Sequence, residues 1–135
     1  MSRRFGSAPQ SVKISPEQLG IMQGRLRPPD LGKFQQFPVA WQDELTLAAE
    51  IGFGRLEFLD DKQGVGRTLL AGGEFWEALE RSGLQMKSLC ADGLCRWQLS
   101  NAGTALPFLK SLEALLPLLA RRGIDTALPL WSAGA

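Results

Sequence analysis

The sequence predicts an α/β protein built from parallel strand–helix repeats. A helical pattern, a glycine, an apolar residue and a short β-rich run occur in that order three times, around Gly52, Gly83 and Gly123. Glycine can adopt the left-handed conformation that ends a helix, and the apolar residue after it packs back on the last turn. The glycines lie 31 and 40 positions apart, which is the length of a strand–helix unit and too long for a hairpin. Each glycine therefore marks a helix end followed by a strand parallel to the previous one.

Strands and helices alternate along the whole of the predicted domain. Four short apolar runs predict strands at residues 19–24, 55–59, 86–90 and 126–130. Apolar residues at helical spacing predict three helices, centred on residues 41–49, 75–79 and 106–119. The glycine-rich residues 64–73 match neither a phosphate-binding loop nor a dinucleotide fingerprint, so we predict a flexible loop there.

Length and composition indicate one folded domain. The 135 residues are enough for a real core, and 44% hydrophobic with 21% charged residues is typical of globular proteins. We predict a mobile extension over residues 1–16, which lack periodicity, and a single domain over residues 17–135. A net charge of +1 gives no sign of a nucleic-acid or membrane partner. Because no signal peptide or long apolar run is evident, we expect a cytoplasmic protein.

The residue types present restrict the available chemistry. The chain has two cysteines, Cys90 and Cys95, and no histidine or tyrosine, so we expect free thiols and no Cys/His zinc site. A general acid or base would have to be Asp, Glu, Lys or Cys.

Alternating strands and helices leave two architectures open, a doubly wound open sheet or part of a closed barrel. No helix follows the last predicted strand, so we expect an exposed strand edge and an uncovered apolar face there. A partner or further sequence should cover them.

Several segments resemble one barrel family. Residues 20–26 (GIMQGRL), followed by the Pro-Pro pair at 28–29 and the Phe-Pro pair at 37–38, resemble the opening of xylose-isomerase-like TIM-barrel proteins, the sugar-phosphate isomerases and epimerases. Later segments resemble, in order, that family's first helix, second strand, third strand and fourth strand: residues 47–53, 56–60, 87–92 and 123–130. A complete barrel needs about 250 residues and eight strand–helix units. The resemblance therefore implies four strands and three helices, the N-terminal half of a (β/α)8 barrel.

This resemblance implies a function. The complete family member would interconvert a ketose and its isomer or epimer by proton transfer assisted by a divalent metal, Mn or Mg. The family's metal ligands belong to later strands, so we expect this chain to bind no cofactor, to carry no catalytic residue and to be inactive alone. It should supply part of a pocket for a sugar or sugar phosphate.

Four side chains are predicted to contact that ligand. Gln23 and Arg25 follow the first strand, and a guanidinium can bind phosphate bidentately. Glu57 alternates with apolar neighbours and should point away from the helices, where it needs a partner such as Arg25 or Lys87. Asp92 ends the third strand and could bind a sugar hydroxyl.

Each of these residues also has a structural interpretation. Arg25 could pair with a surface carboxylate in a turn, and Glu57 could form a structural ion pair. Asp60 and Asp61 are expected to begin a solvated loop or to cap a helix, and Cys90 to be a small buried hydrophobe. Two other functions stay open: an assembly module that pairs as a homodimer or with a complementary half-barrel, and a small flavodoxin-like ligand-binding domain.

Overall fold

A computed structural model of the chain describes residues 13–27, 36–97 and 101–128. These residues form four strands and four α-helices, which follow the chain as β1 (Gly20–Met22), α1 (Trp41–Ile51), β2 (Arg55–Leu59), α2 (Val65–Ala71), α3 (Glu74–Ser82), β3 (Gln85–Cys90), α4 (Ala102–Arg121) and β4 (Thr126–Leu128). Short 3₁₀ helices lie at Pro16–Gln18 and Asp92–Arg96.

The four strands form one parallel sheet in the order β1-β2-β3-β4. Crossovers between parallel strands are right-handed as a rule, and for sequential neighbours this puts the connecting helices on one face of the sheet. The predicted α/β class with parallel strand–helix repeats is therefore confirmed. Sequential order is expected of a barrel segment, whereas a flavodoxin-like sheet has its first strand inside.

The three repeat glycines end helices as predicted. Gly52, Gly83 and Gly123 have φ angles of 103°, 74° and 65°, in the left-handed region that favours glycine. The apolar residue after Gly52 packs back on the helix, since the N–H of Phe53 donates to the carbonyl of Ala48 at 3.0 Å. The strands follow at Arg55, Gln85 and Thr126.

The prediction of three helices was wrong by one, because α2 occupies part of the glycine-rich segment expected to be a loop. The Asp61 carboxylate accepts a hydrogen bond from the N–H of Val65, the first residue of α2, at 3.0 Å. Leu70 is buried against the sheet, and Gly66 lies so close to the carbonyl of Leu59 that a side chain there would overlap it. Close packing on β2 thus explains why residue 66 is a glycine. The hydrogen bond to the Asp61 carboxylate stabilises the start of the helix at Val65.

The core lies between the sheet and the helices. Leu56 and Phe58 of β2 are buried there, as the alternation of a one-sided strand requires. The Phe58 ring stacks edge-on against Phe75 of α3, with centroids 4.8 Å apart, and Phe75 in turn contacts Trp41 of α1 at 5.5 Å. Such aromatic pairs contribute about 0.5–1.5 kcal/mol each beyond their burial.

The face of the sheet opposite the helices is polar. Register places Arg55 beside Gln85 and Glu57 beside Ser88, and these side chains are exposed or half-buried. Apolar side chains occur on this face at the strand ends, where Cys90 is buried. No helix of residues 13–27, 36–97 and 101–128 covers this face, and its polar groups can hydrogen-bond to water, which reduces the aggregation hazard of an open sheet.

The last residue of the predicted extension and the start of the predicted domain are both held to the sheet. The carbonyl of Pro16 accepts a hydrogen bond from the N–H of Gly54 at 2.9 Å, and the Leu19 carbonyl accepts one from Arg55 at 3.0 Å. Residues 1–12 of the predicted N-terminal extension lie outside the described residues.

Within the described part of the chain, α4 is the one helix long and apolar enough to cross a membrane. A single helix of this kind is weak evidence, because core helices of soluble proteins have the same composition. Three residues of α4 are buried in the core, namely Phe108, Leu115 and Leu119.

Candidate functional site

A cavity of about 540 Å³ lies on the uncovered face of the sheet. All four strands contribute to it, with polar side chains from β2 and β3 in the middle: Arg55, Glu57, Gln85, Lys87 and Ser88. Asp125 and Thr126 line it at the start of β4. The cavity thus combines two cations, two carboxylates and several neutral donors and acceptors.

A β-bulge arranges the centre of this cavity. Leu56 pairs with Met86, but the next residue, Glu57, pairs with Ser88, so Lys87 is an extra residue in β3. The Ser88 hydroxyl donates to the Glu57 carboxylate at 3.2 Å. Regular register would have put Lys87, one of the two partners suggested for Glu57, directly opposite it. Instead the Lys87 ammonium donates to the carbonyl of Gly123 at 3.3 Å.

Of the four predicted contact residues, Glu57 alone lines this cavity, and the other three lie at the carboxyl end of the sheet. Gln23 follows β1 and is fully buried. Its side-chain Oε1 accepts a hydrogen bond from the N–H of Leu59 at 3.1 Å, while its Nε2 has no partner. At the start of this strand pair, the N–H of Arg55 in β2 donates to the backbone carbonyl of Leu19. At its end, the N–H of Leu59 donates to the Gln23 side chain, which takes the place of a backbone carbonyl. Gln23 therefore prolongs the sheet as its chain turns away.

Arg25 lies in the loop that follows β1, with its side chain exposed. That loop is organised by Glu44 of α1, a residue that sequence reasoning did not select. The buried Glu44 carboxylate accepts hydrogen bonds from the N–H groups of Gly24, Leu26 and Arg27 at 2.9, 3.0 and 3.2 Å. Convergent backbone N–H groups form an anion-binding nest, and here a side chain of the protein occupies it.

One sequence signal could have revealed Glu44. It falls on the buried stripe of α1, three residues after Trp41 and four before Ala48, where a charged residue requires a partner.

Asp92 lies at the start of the 3₁₀ helix after β3 and is buried. Its charge and that of Glu57 act on Cys90, whose pKa is raised to about 11, mainly by burial and then by these two carboxylates. The Cys90 thiol is thus neutral at physiological pH and buried, which agrees with its prediction as a small hydrophobe.

A second, smaller cavity of about 210 Å³ lies where β2 ends. Asp60 and Asp61 line it and are both buried, so they do not begin a solvated loop. The alternative expectation, a helix cap, holds for Asp61, which accepts the hydrogen bond from Val65 at the start of α2. Asp60 forms an ion pair with Arg67 of α2, and Arg67 also donates to the Ser111 hydroxyl of α4 at 2.9 Å. Burial raises the pKa of Asp60, and the Arg67 guanidinium opposes that effect. These charges are satisfied by one another and tie β2, α2 and α4 together.

Across residues 13–27, 36–97 and 101–128, no three His, Cys, Asp or Glu side chains lie close enough to hold a metal ion. Comparison of the chain with protein-family models, curated proteins and solved structures finds no match.

Proposed function

We propose that the chain is a sugar- or sugar-phosphate-binding half-barrel, equivalent to the N-terminal half of a cytoplasmic isomerase/epimerase-like barrel. The observation that carries this proposal is the cavity on the uncovered sheet face, with the Glu57–Ser88 hydrogen bond at its centre. In a barrel, that face becomes the interior.

The chemistry of the cavity suits a polyhydroxylated ligand. A sugar hydroxyl both donates and accepts, so it binds best where a carboxylate and a hydroxyl lie side by side, as Glu57 and Ser88 do. Arg55 is exposed at the cavity wall, and its guanidinium suits a phosphate group.

Binding and turnover are separate in this proposal. In the complete barrel a divalent metal, Mn or Mg, would supply Lewis-acid chemistry from the other half. This half binds and orients the sugar, and by itself it does not isomerise it.

Isothermal titration calorimetry with D-fructose and D-fructose 6-phosphate tests the proposal. We expect both sugars to bind, the phosphate more tightly, and Glu57→Gln to weaken binding tenfold or more, because a hydrogen bond to a charged group contributes about 1.5–3 kcal/mol. The matched control is Glu50→Gln, on the exposed side of α1, which should bind as the wild type does.

Three results would contradict the proposal. The first is the absence of heat with either sugar, and the second is equal affinities for wild type and Glu57→Gln. The third is isomerisation of fructose 6-phosphate by the purified chain with added Mn²⁺ or Mg²⁺, which would mean that the chain carries its own catalytic residues.

A further inference from the structure

We propose that the cavity on the uncovered sheet face binds a sugar phosphate in one direction, with the phosphate between Arg55 and Lys87 and the sugar hydroxyls at Glu57 and Ser88. This inference rests on the proposed function and deepens it, since it names the ligand class, a sugar with a phosphate ester at one end, and its orientation. It is carried by two cations that have no carboxylate partner.

The protein does not neutralise the two cations of the cavity. Among residues 13–27, 36–97 and 101–128, the one ion pair is that of Arg67 with Asp60, which lies outside this cavity. Arg55 and Lys87 are exposed at the cavity wall, and the Lys87 ammonium donates to a neutral group, the Gly123 carbonyl. A guanidinium and an ammonium that share a cavity in this way are available to an anionic ligand.

The carboxylates of the cavity have hydroxyl partners instead. The Glu57 carboxylate accepts a hydrogen bond from Ser88 at 3.2 Å, and the Asp125 carboxylate accepts one from Thr126 at 3.0 Å. Each pair offers both acceptors and a hydroxyl, which suits sugar hydroxyls. The cavity thus keeps positive groups for an anion apart from polar groups for hydroxyls.

Both cations lie towards the starts of the strands. Arg55 is the first residue of β2 and lies beside Gln85, the first residue of β3. The Lys87 ammonium lies at the same end, because its acceptor, the Gly123 carbonyl, comes before the first residue of β4. The positive charge of the cavity is therefore concentrated at one end.

The surroundings of Arg55 leave room for a ligand. Gly20 of β1 is the neighbour of Arg55 across the sheet, and a side chain there would put its Cβ 3.3 Å from the Arg55 Cβ, closer than ordinary contact. The amides of Gln18 and Gln85 also line the cavity and can donate to phosphate oxygens. This end of the cavity thus combines space, positive charge and neutral donors.

The spacing along β2 sets the direction of the ligand. Glu57 lies two residues beyond Arg55, about 7 Å at 3.3 Å per residue, which is comparable with the distance from a terminal phosphate to the middle hydroxyls of a hexose. The carbonyl of a ketose 6-phosphate then points to the carboxyl ends of the strands, where barrel enzymes assemble their reactive groups. A second phosphate on that side would meet the Glu57 carboxylate, so the cavity should disfavour a bisphosphate.

Isothermal titration calorimetry with D-fructose, D-fructose 6-phosphate and D-fructose 1,6-bisphosphate tests the orientation. We expect Arg55→Gln and Lys87→Met each to weaken binding of the 6-phosphate about tenfold and to leave binding of fructose unchanged, because each removes a charge-assisted contact to phosphate alone. The wild type should bind the bisphosphate more weakly than the 6-phosphate. Lys110→Gln, at an exposed position of α4, is the matched control and should bind all three sugars as the wild type does.

A titration of the ¹⁵N-labelled chain with inorganic phosphate isolates the anion site from the sugar. We expect saturable shifts at the amides of Gln85 and Lys87 that Arg55→Gln abolishes, and circular dichroism checks that the variants are folded.

The outcomes separate the two proposals. A preference for the 6-phosphate over fructose that survives in both cation variants, or a bisphosphate that binds as tightly as the 6-phosphate, would overturn the orientation and leave the proposed function standing. Inorganic phosphate that binds at Lys87 in a chain that binds neither fructose nor its 6-phosphate would contradict the proposed function and leave the anion site standing.

Discussion

At the scale of single residues, the buried carboxylates either follow the end of a strand or, like Glu44 of α1, bind the loop after one. Glu44, Asp60, Asp61 and Asp92 are all buried, and the contacts of the first three are to backbone N–H groups or to one arginine. Their carboxylates stabilise turns and helix starts by meeting donors that would otherwise be unpaired. Their burial shows that acidic residues after a strand need not be solvated.

Asp60 gives a pH prediction. Its folded pKa lies above its ordinary value of 3.8, so as pH rises from there the unfolded chain releases a proton that the folded chain keeps. The contribution of Asp60 to stability is therefore greatest below 3.8 and falls as pH rises through the raised value. Thermal unfolding of wild type and Asp60→Asn between pH 3.5 and neutrality should show the wild type losing stability relative to the variant. A difference in thermal stability between wild type and Asp60→Asn that is constant with pH, or that moves in favour of the wild type as pH rises, would contradict the raised pKa of Asp60.

Cys90 gives a prediction of reactivity. A pKa of about 11 instead of 9.0 lowers the thiolate fraction at pH 8 about a hundredfold, and burial hinders access further. Iodoacetamide labelling followed by mass spectrometry should modify Cys95, which is half-buried, well before Cys90. In urea the two thiols should react at similar rates, which serves as the control. Equal rates in the folded protein would show that Cys90 is accessible.

At the scale of elements, the predictable part of the structure is the part that local chemistry determines. The glycine helix ends and the strand–helix order follow from backbone conformation and apolar spacing, and both were predicted. The start of α2 depends on its hydrogen bond to Asp61, and its close packing on β2 depends on Gly66. This helix therefore requires tertiary contacts that the spacing of apolar residues in the sequence does not reveal. The bulge at Lys87 likewise changes the partner of Glu57 without a signal in the strand's residue types.

Gly83 tests the helix-end interpretation. Its φ of 74° is strained for any side chain even though a methyl group would meet no atom within 4 Å, so Gly83→Ala should lower the free energy of unfolding by about 1–2 kcal/mol. Gly72 is the matched control, with φ of −80° and ordinary contacts of 3.5 and 3.7 Å for an added methyl group. Gly72→Ala should be neutral or stabilise by about 0.4–1 kcal/mol, through the unfolded chain. Urea denaturation measures both, and equal effects would refute the left-handed requirement.

At the scale of the whole molecule, sheet order and the position of the helices make one face a core and the other a polar surface. Sequence patterns predicted the parallel order, but they did not show that the sheet face opposite the helices carries polar side chains from several strands. Arg55, Gln85 and Thr126 are polar first residues of strands, and together with Glu57 they form the cavity wall. Four predicted contact residues separated into one in the cavity and three at the strand ends, because a sequence does not show which residues a turn withdraws into the interior.

The central claim is that this polar cavity is where the sugar binds. Chemical-shift mapping of the ¹⁵N-labelled chain during titration with D-fructose 6-phosphate tests it most directly. We predict saturable shifts at the amides of Glu57, Lys87, Ser88 and Thr126. Shifts confined to the loop after β1 or to the cavity beside Asp60, or no shifts at millimolar sugar, would contradict it.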